Sequence, residues 1–159
     1  MNTKTQRFLW SLAAAIIIIL MMAVLFNSRI KKLIIADADS GTVYFSWIVK
    51  DGLEFAIEFI HSVNQSPVRD TFEVQGRRIL PKATRFVSFG AGMQTELAEG
   101  QELVREEEGA MLITGFTNSF RELNYIVGTV SDHILFINNE TISLRDMCGR
   151  NAHINIRVR

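Results

Sequence analysis

Nineteen consecutive residues, Phe8 to Phe26, carry no charge, and this stretch restricts the chain more than any other feature in it. It reads FLWSLAAAIIIILMMAVLF, and as a helix rising 1.5 Å per residue it would extend about 28 Å, the thickness of a bilayer's hydrocarbon core. A single membrane-spanning helix is therefore expected, occupying about residues 8–26 of an N-terminal segment 1–32. A cleavable signal peptide is the competing reading, because Ala36-Asp37-Ala38 has the small-x-small form of a cleavage site. The apolar run is longer than such a peptide needs, and Arg29-Ile30-Lys31-Lys32 intervenes, so an uncleaved anchor is the expectation. Lys4 and Arg7 on one flank nearly balance Arg29, Lys31 and Lys32 on the other, which leaves the orientation open on charge alone.

Behind the anchor the charge changes sign. Seventeen basic residues balance seventeen acidic ones over the 159, yet five of the basic residues and none of the acidic ones lie in 1–32. Residues 33–159 thus hold twelve basic against seventeen acidic residues, a surplus that repels phosphate backbones and argues against nucleic-acid binding. One cysteine, Cys148, excludes an internal disulfide and a multi-cysteine metal site.

The period of the apolar pattern also changes. From Leu33 onward short alternating runs recur, bounded by Gly, Asn, Asp or Pro, and no window of eleven residues has helical spacing. Strands are predicted at Thr42–Lys50, Leu53–Val63, Asp70–Gln75, Arg77–Leu80, Thr84–Phe89, Met111–Phe116, Leu123–Val130, Ile134–Ile137, Thr141–Leu144 and Ala152–Val158. Asp51-Gly52 suits a tight turn joining the first two as a hairpin, and Asn138-Asn139 makes another. So many short strands in one domain imply an all-β fold over 33–159, a small barrel or sandwich. Gly92 to Gly109, with Glu96, Glu99, Glu102 and Glu106-Glu107-Glu108, reads as a solvated acidic loop.

The residues able to carry chemistry are few. Alternation places His61 on the apolar face of its strand with Phe55, Ile57 and Phe59, and Asp70 beyond the Pro67 turn is the nearest acceptor in sequence. His61 is then either a structural histidine pinning that turn or an oriented imidazole that binds a ligand or senses pH at about 6 to 7. His61, Ser62 and Asp70 are the residue types of a hydrolase triad, but neighbouring strand residues point to opposite faces, and no G-x-S-x-G elbow is present. His61, His133 and His153 lack metal-ligand spacing, so no metal, cofactor or catalytic group is expected. Gly90 and Gly92, around Ala91 at a strand end, allow a sharp turn or an anion-binding nest.

His61-Ser62-Val63, Pro67-Val68 with an acid and Phe72, and Phe86-x-Ser88-Phe89-Gly90-Ala91-Gly92 together resemble a family of small membrane-anchored bacterial proteins of undetermined function. The genes of that family commonly lie beside tripartite ATP-independent periplasmic (TRAP) transporters of the type that uses a TAXI-class binding protein. The likeness runs from about Thr42 to the C-terminus and includes Asp132-His133-x-Leu135; it departs at Asp70, where Glu is commoner, and at Gln94, where Pro usually follows the glycines. It implies a single-pass protein of the bacterial inner membrane with its β domain on the extracytoplasmic side. It also implies an accessory or regulatory subunit that contacts the transporter's membrane subunit; it carries over no mechanism, and on the residues themselves no enzymatic activity is expected. The alternative is an independent periplasmic module that binds a small ligand or senses protons, with His61, Ser62, Asp70, Gly90, Gly92 and His133 as the candidate network.

Overall fold

In the computed structural model the described residues are 10, 12–19, 21–22, 30–63, 65–87, 96–106 and 109–159. The chain divides into two compact units, Met1–Lys31 and Lys32–Arg159.

In the first unit the described residues from Trp10 to Met22 are helical, and every one is apolar and exposed. Among the described residues no helix is long and apolar enough to cross a membrane. The predicted span also takes in residues 8, 9, 11, 20 and 23–26, which lie outside the described ones.

The second unit is mostly β, built from two antiparallel sheets facing each other as in a sandwich. Its strands are β1 (Lys31–Asp37), β2 (Val43–Val49), β3 (Glu54–Ile60), β4 (Pro67–Gln75), β5 (Arg78–Phe86), β6 (Glu102–Arg105), β7 (Met111–Thr114), β8 (Glu122–Ile126), β9 (His133–Ile137), β10 (Glu140–Ser143) and β11 (His153–Val158). One sheet has the order β2-β1-β11-β8 and the other β10-β9-β3-β4-β5-β7-β6. Alternate residues of the facing strands meet in one core: Leu33, Ile35, Trp47, Leu123, Ile154 and Ile156 from the first sheet, and Phe55, Ile57, Phe72, Val74, Ile79, Leu135 and Ile137 from the second. Fully burying side chains of this size is worth about 1.5–3 kcal/mol each.

Asp51-Gly52 does turn the chain, with Gly52 at φ 82°, but β2 and β3 do not form the predicted hairpin because they belong to different sheets. The competitor is β4. Gly52 N–H donates to the Val74 carbonyl at 2.8 Å, and Val74 N–H donates to the Leu53 carbonyl at 2.9 Å, so the segment leaving the turn is taken into the second sheet. The Asn138-Asn139 hairpin forms as predicted between β9 and β10, with both residues at positive φ, 49° and 65°. The runs predicted at Arg77–Leu80 and Thr84–Phe89 join, as far as Phe86, in one strand, β5, in which the register shift opposite Thr71/Phe72 takes up Lys82; residues 88–89 lie outside the described ones. The described part of the acidic loop contains β6, an edge strand paired to β7, while residues 92–95, 107 and 108 lie outside the described ones. Leu144, read as the end of a strand, instead opens the short helix Leu144–Cys148, capped by Ser143 Oγ accepting from Asp146 N–H at 2.9 Å.

The sandwich is tied at both flanks. Ile79 of β5 exchanges two 2.8 Å backbone bonds with Phe120, just before β8, and Trp47 Nε1 of β2 donates to Glu140 Oε2 of β10 at 3.2 Å. Ala36, in the small-x-small tripeptide, is fully buried in β1 between β2 and β11, so a cut there would remove a central strand.

Candidate functional site

Side chains of β4 alternate, and Val68, Phe72 and Val74 face the core, so Asp70 must face it too. The ladder puts Asp70 beside Ile57 of β3 on one side and Thr84 of β5 on the other. Thr84 Oγ1 donates to Asp70 Oδ1 at 2.7 Å. Loss of water raises the carboxyl's pKa above the ordinary value, and the Thr84 hydroxyl acts the other way by stabilising the anion.

The opposite sheet brings a phenol to this carboxyl. Leu123, Tyr125 and Val127 share the core face of β8 and its extension, and Tyr125 titrates well above its ordinary range, chiefly through burial and secondarily through the charge of Asp70. The Tyr125 ring meets His133 edge-on, with centroids 5.8 Å apart, and the Phe59 ring lies 5.1 Å from the same imidazole. His133 opens β9 opposite Phe59. Its Nδ1 accepts from Gly128 N–H at 3.2 Å, which leaves the neutral ring's proton on Nε2. Burial lowers the imidazole's pKa, the Arg145 guanidinium adds to that, and Asp132 opposes it.

Gly128 is fixed by this geometry, since a Cβ there would stand 2.0 Å from the Ser131 carbonyl oxygen and 3.6 Å from His133 Cε1. Asp132 braces the same loop: its carboxylate accepts from Ser143 Oγ at 2.5 Å and from Arg145 N–H at 3.0 Å.

The result is a polar layer of Asp70, Thr84, Tyr125 and His133 at the end of the main core. On its far side lies a second apolar cluster of Val68, Phe86, Met111 and Ile113, with Phe59 and Phe116 against it. Two depressions, of about 640 and 440 Å³, open at the surface, the second bordered by Phe59 and Asp132. One is lined by Glu54, Ala56, Arg69 and Phe136, the other by Glu58, Ile134, Ser131 and Arg145, and neither includes Asp70, Tyr125 or His133.

Of the sequence candidates, the fold brings Asp70 and His133 to one layer and leaves His61 and Ser62 outside it. β3 ends at Ile60, so His61 belongs to the turn into β4: its N–H donates to the Ser66 carbonyl and its carbonyl accepts from Gln65 N–H, both at 2.9 Å. His61 Nδ1 accepts from Val63 N–H at 3.3 Å. The predicted bond to Asp70 fails because the register sets Ile60 against Pro67 and Asp70 against Ile57, some four residues or about 13 Å along the ladder from His61. Ser62 is exposed, with its carbonyl accepting from Gln65 Nε2 at 2.6 Å. Gly90 and Gly92 lie outside the described residues. Among the described residues no three His, Cys, Asp or Glu side chains gather where they could hold a metal ion. Thr84, Tyr125 and Gly128 join the site only through the structure, and Asp132 stands in the sequence only as part of the Asp132-His133-x-Leu135 likeness. Tyr125 was findable, since Leu123-x-Tyr125-x-Val127 alternates, and Gly128 stands five residues before His133; Thr84 emerges only from the register.

The family model described as a domain of unknown function, DUF1850, matches residues 55–144, more than half of the chain. The chain belongs to the DUF1850 family. The DUF1850 stretch covers β3 from its second residue through β10 and holds every member of the polar layer, while β1, β2 and β11 lie outside it. No curated protein and no solved structure matches the chain.

Proposed function

We propose that this DUF1850 protein is a membrane-tethered accessory subunit of a TRAP-type solute transporter, its β domain held on the extracytoplasmic face of the bacterial inner membrane and acting through protein contacts. The observation that carries the tether is the helical stretch in which residues 12–19 are apolar and exposed on every face. A helix apolar all round needs either a protein interior or lipid around it, and in an otherwise charged, β-structured chain the bilayer supplies that environment. The transporter as partner rests on the resemblance of the His61-Ser62-Val63 and Phe86-to-Gly92 segments, and a non-catalytic role is supported by the register, which sets Asp70 opposite Ile57, four residues from His61, where it accepts from Thr84 Oγ1.

The test is a clean deletion. Solute uptake should fall while the affinity of the soluble binding protein stays unaltered, and crosslinking in the membrane should recover the transporter's membrane subunit. Normal uptake with no such subunit recovered would end this reading. It would promote the second one, a tethered module that responds to protons or binds a small ligand, which the Asp70–Tyr125–His133 layer favours. Replacing the anchor with an unrelated span separates the two, because a tethered binder tolerates any span and a docked subunit needs its own.

A further inference from the structure

A sheet ends in strands with unpaired backbone groups, and folded proteins blunt such edges with charge, proline, bulges or brevity. Of the four edge strands, β6 has four residues including Glu102 and Arg105, β10 has four and runs directly into the short helix, and β8 begins at Glu122 beside the Ile79–Phe120 bridge. β2 is different. It has seven residues, reading VYFSWIV, with no charge or proline, and its Val43, Phe45 and Ile48 side chains are 51%, 46% and 67% exposed. Such a sequence combines high β propensity with a free ladder and an exposed apolar border.

We infer that β2 is a self-pairing edge: two copies of the chain join through antiparallel β2 strands related by a two-fold axis at Ser46, making one continuous eight-stranded sheet. Full overlap of the seven residues puts the axis at the middle one, Ser46. That register sets Phe45 against the partner's Trp47 and Val43 against the partner's Val49, so like faces meet and aromatic and β-branched pairs form. No two charges oppose. The nearest basic residue, Lys50, falls opposite Thr42, and Asp39 lies beyond the overlap. The axis makes the contact isologous and closed, so pairing stops at two copies. This goes beyond the accessory role proposed above and stands or falls separately from it.

The test uses the full chain in non-ionic detergent with Cys148 changed to Ser. Sedimentation should give a dimer, and Phe45→Lys, which puts a cation into the shared border, should weaken it at least about tenfold, as should Ile48→Lys. Ser46→Cys should form a disulfide-linked dimer under copper–phenanthroline, because residues paired across an antiparallel axis have Cα atoms about 4.5–5.5 Å apart, within disulfide reach. Val43→Cys, whose partner across the axis is Val49, should crosslink at least about tenfold more slowly, its own copy lying six residues or about 20 Å away. Unchanged melting of the exposed-site variants shows that they fold. A monomeric wild type, a dimer indifferent to both lysines, or equal crosslinking at 43 and 46 overturns the proposal; a wild-type monomer that pairs only with another protein's strand counts among these.

Discussion

Changing Asp70 to Asn tests whether burial of that carboxyl costs the fold stability. The ordinary carboxylate value is 3.8, and in the folded protein loss of water raises it, with the Thr84 hydroxyl only partly offsetting the effect. Between 3.8 and the higher folded value the native state retains a proton that the unfolded chain has released. Stability therefore declines as pH rises through that window, and above it the whole cost is present. Each unit of elevation amounts to about 1.4 kcal/mol. Asparagine removes this cost and keeps an oxygen to accept from Thr84 Oγ1, although trading a charged for a neutral acceptor returns about 1 kcal/mol. The expected balance is a gain in stability at pH 8, seen as a rise in thermal midpoint that shrinks as the pH falls toward 3.8. At pH 3 the wild-type carboxyl is itself protonated, and the two proteins should melt within about 1 °C of each other. Thr84→Val is the companion variant: it leaves the buried anion without its hydroxyl donor and should lose about 1–3 kcal/mol at pH 8. Circular dichroism melts at pH 3, 5 and 8 decide the matter. If Asp70→Asn destabilises equally at pH 3 and pH 8, the carboxyl is not burdened by burial and the argument fails.

His133 should show the opposite dependence, since its folded pKa lies below the ordinary 6.5: its contribution is complete above that value and is lost as pH falls from there toward the folded value. His133→Phe removes this slope and strands Gly128 N–H, at a cost of about 1–3 kcal/mol at pH 8, and an unaltered acid limb in melts between pH 5 and 8 would contradict the assignment. Gly128→Ala brings a methyl onto the Ser131 carbonyl oxygen and should cost at least about 2 kcal/mol, with His133 signals shifted in an imidazole-selective NMR spectrum. Trp47→Phe should lose about 1 kcal/mol by deleting the Nε1 bond to Glu140 while keeping the ring in the core, measured by urea unfolding.

What the sequence made legible follows period and turn chemistry. Two-residue alternation located nearly every strand, because residues such as Phe55, Ile57, Phe72 and Val74 are buried in that period. Asn138-Asn139 fixed a hairpin because both positions demand positive φ. Asp51-Gly52 has the same local chemistry and still failed as a hairpin, since pairing is decided by competition among distant strands, and β4 lies some twenty residues further along the chain. Asp70 departs from its expected partner for the same reason: its sequence neighbour is His61, but its ladder neighbour is Thr84. The polar layer joins residues of β4, β5, β8 and β9 across two sheets, a relation that no local window contains.

That layer has a single electrostatic character. Burial raises the Asp70 carboxyl, raises the Tyr125 phenol and lowers the His133 imidazole, so desolvation moves all three toward their uncharged forms. A metal cation or strongly charged anion would have to reverse those shifts and shed its own water, a double cost in a low-dielectric setting. A proton or a neutral polar molecule faces neither. Within the second functional reading protonation is the simplest event to test, and it makes a distinct demand on Asp70→Asn. That variant fixes the position in an uncharged state, so it should abolish any pH-dependent change in the Tyr125 and His133 environments that originates at the carboxyl, followed by near-ultraviolet dichroism and imidazole chemical shifts. Retention of the full pH response in Asp70→Asn would transfer the sensing role to His133 alone.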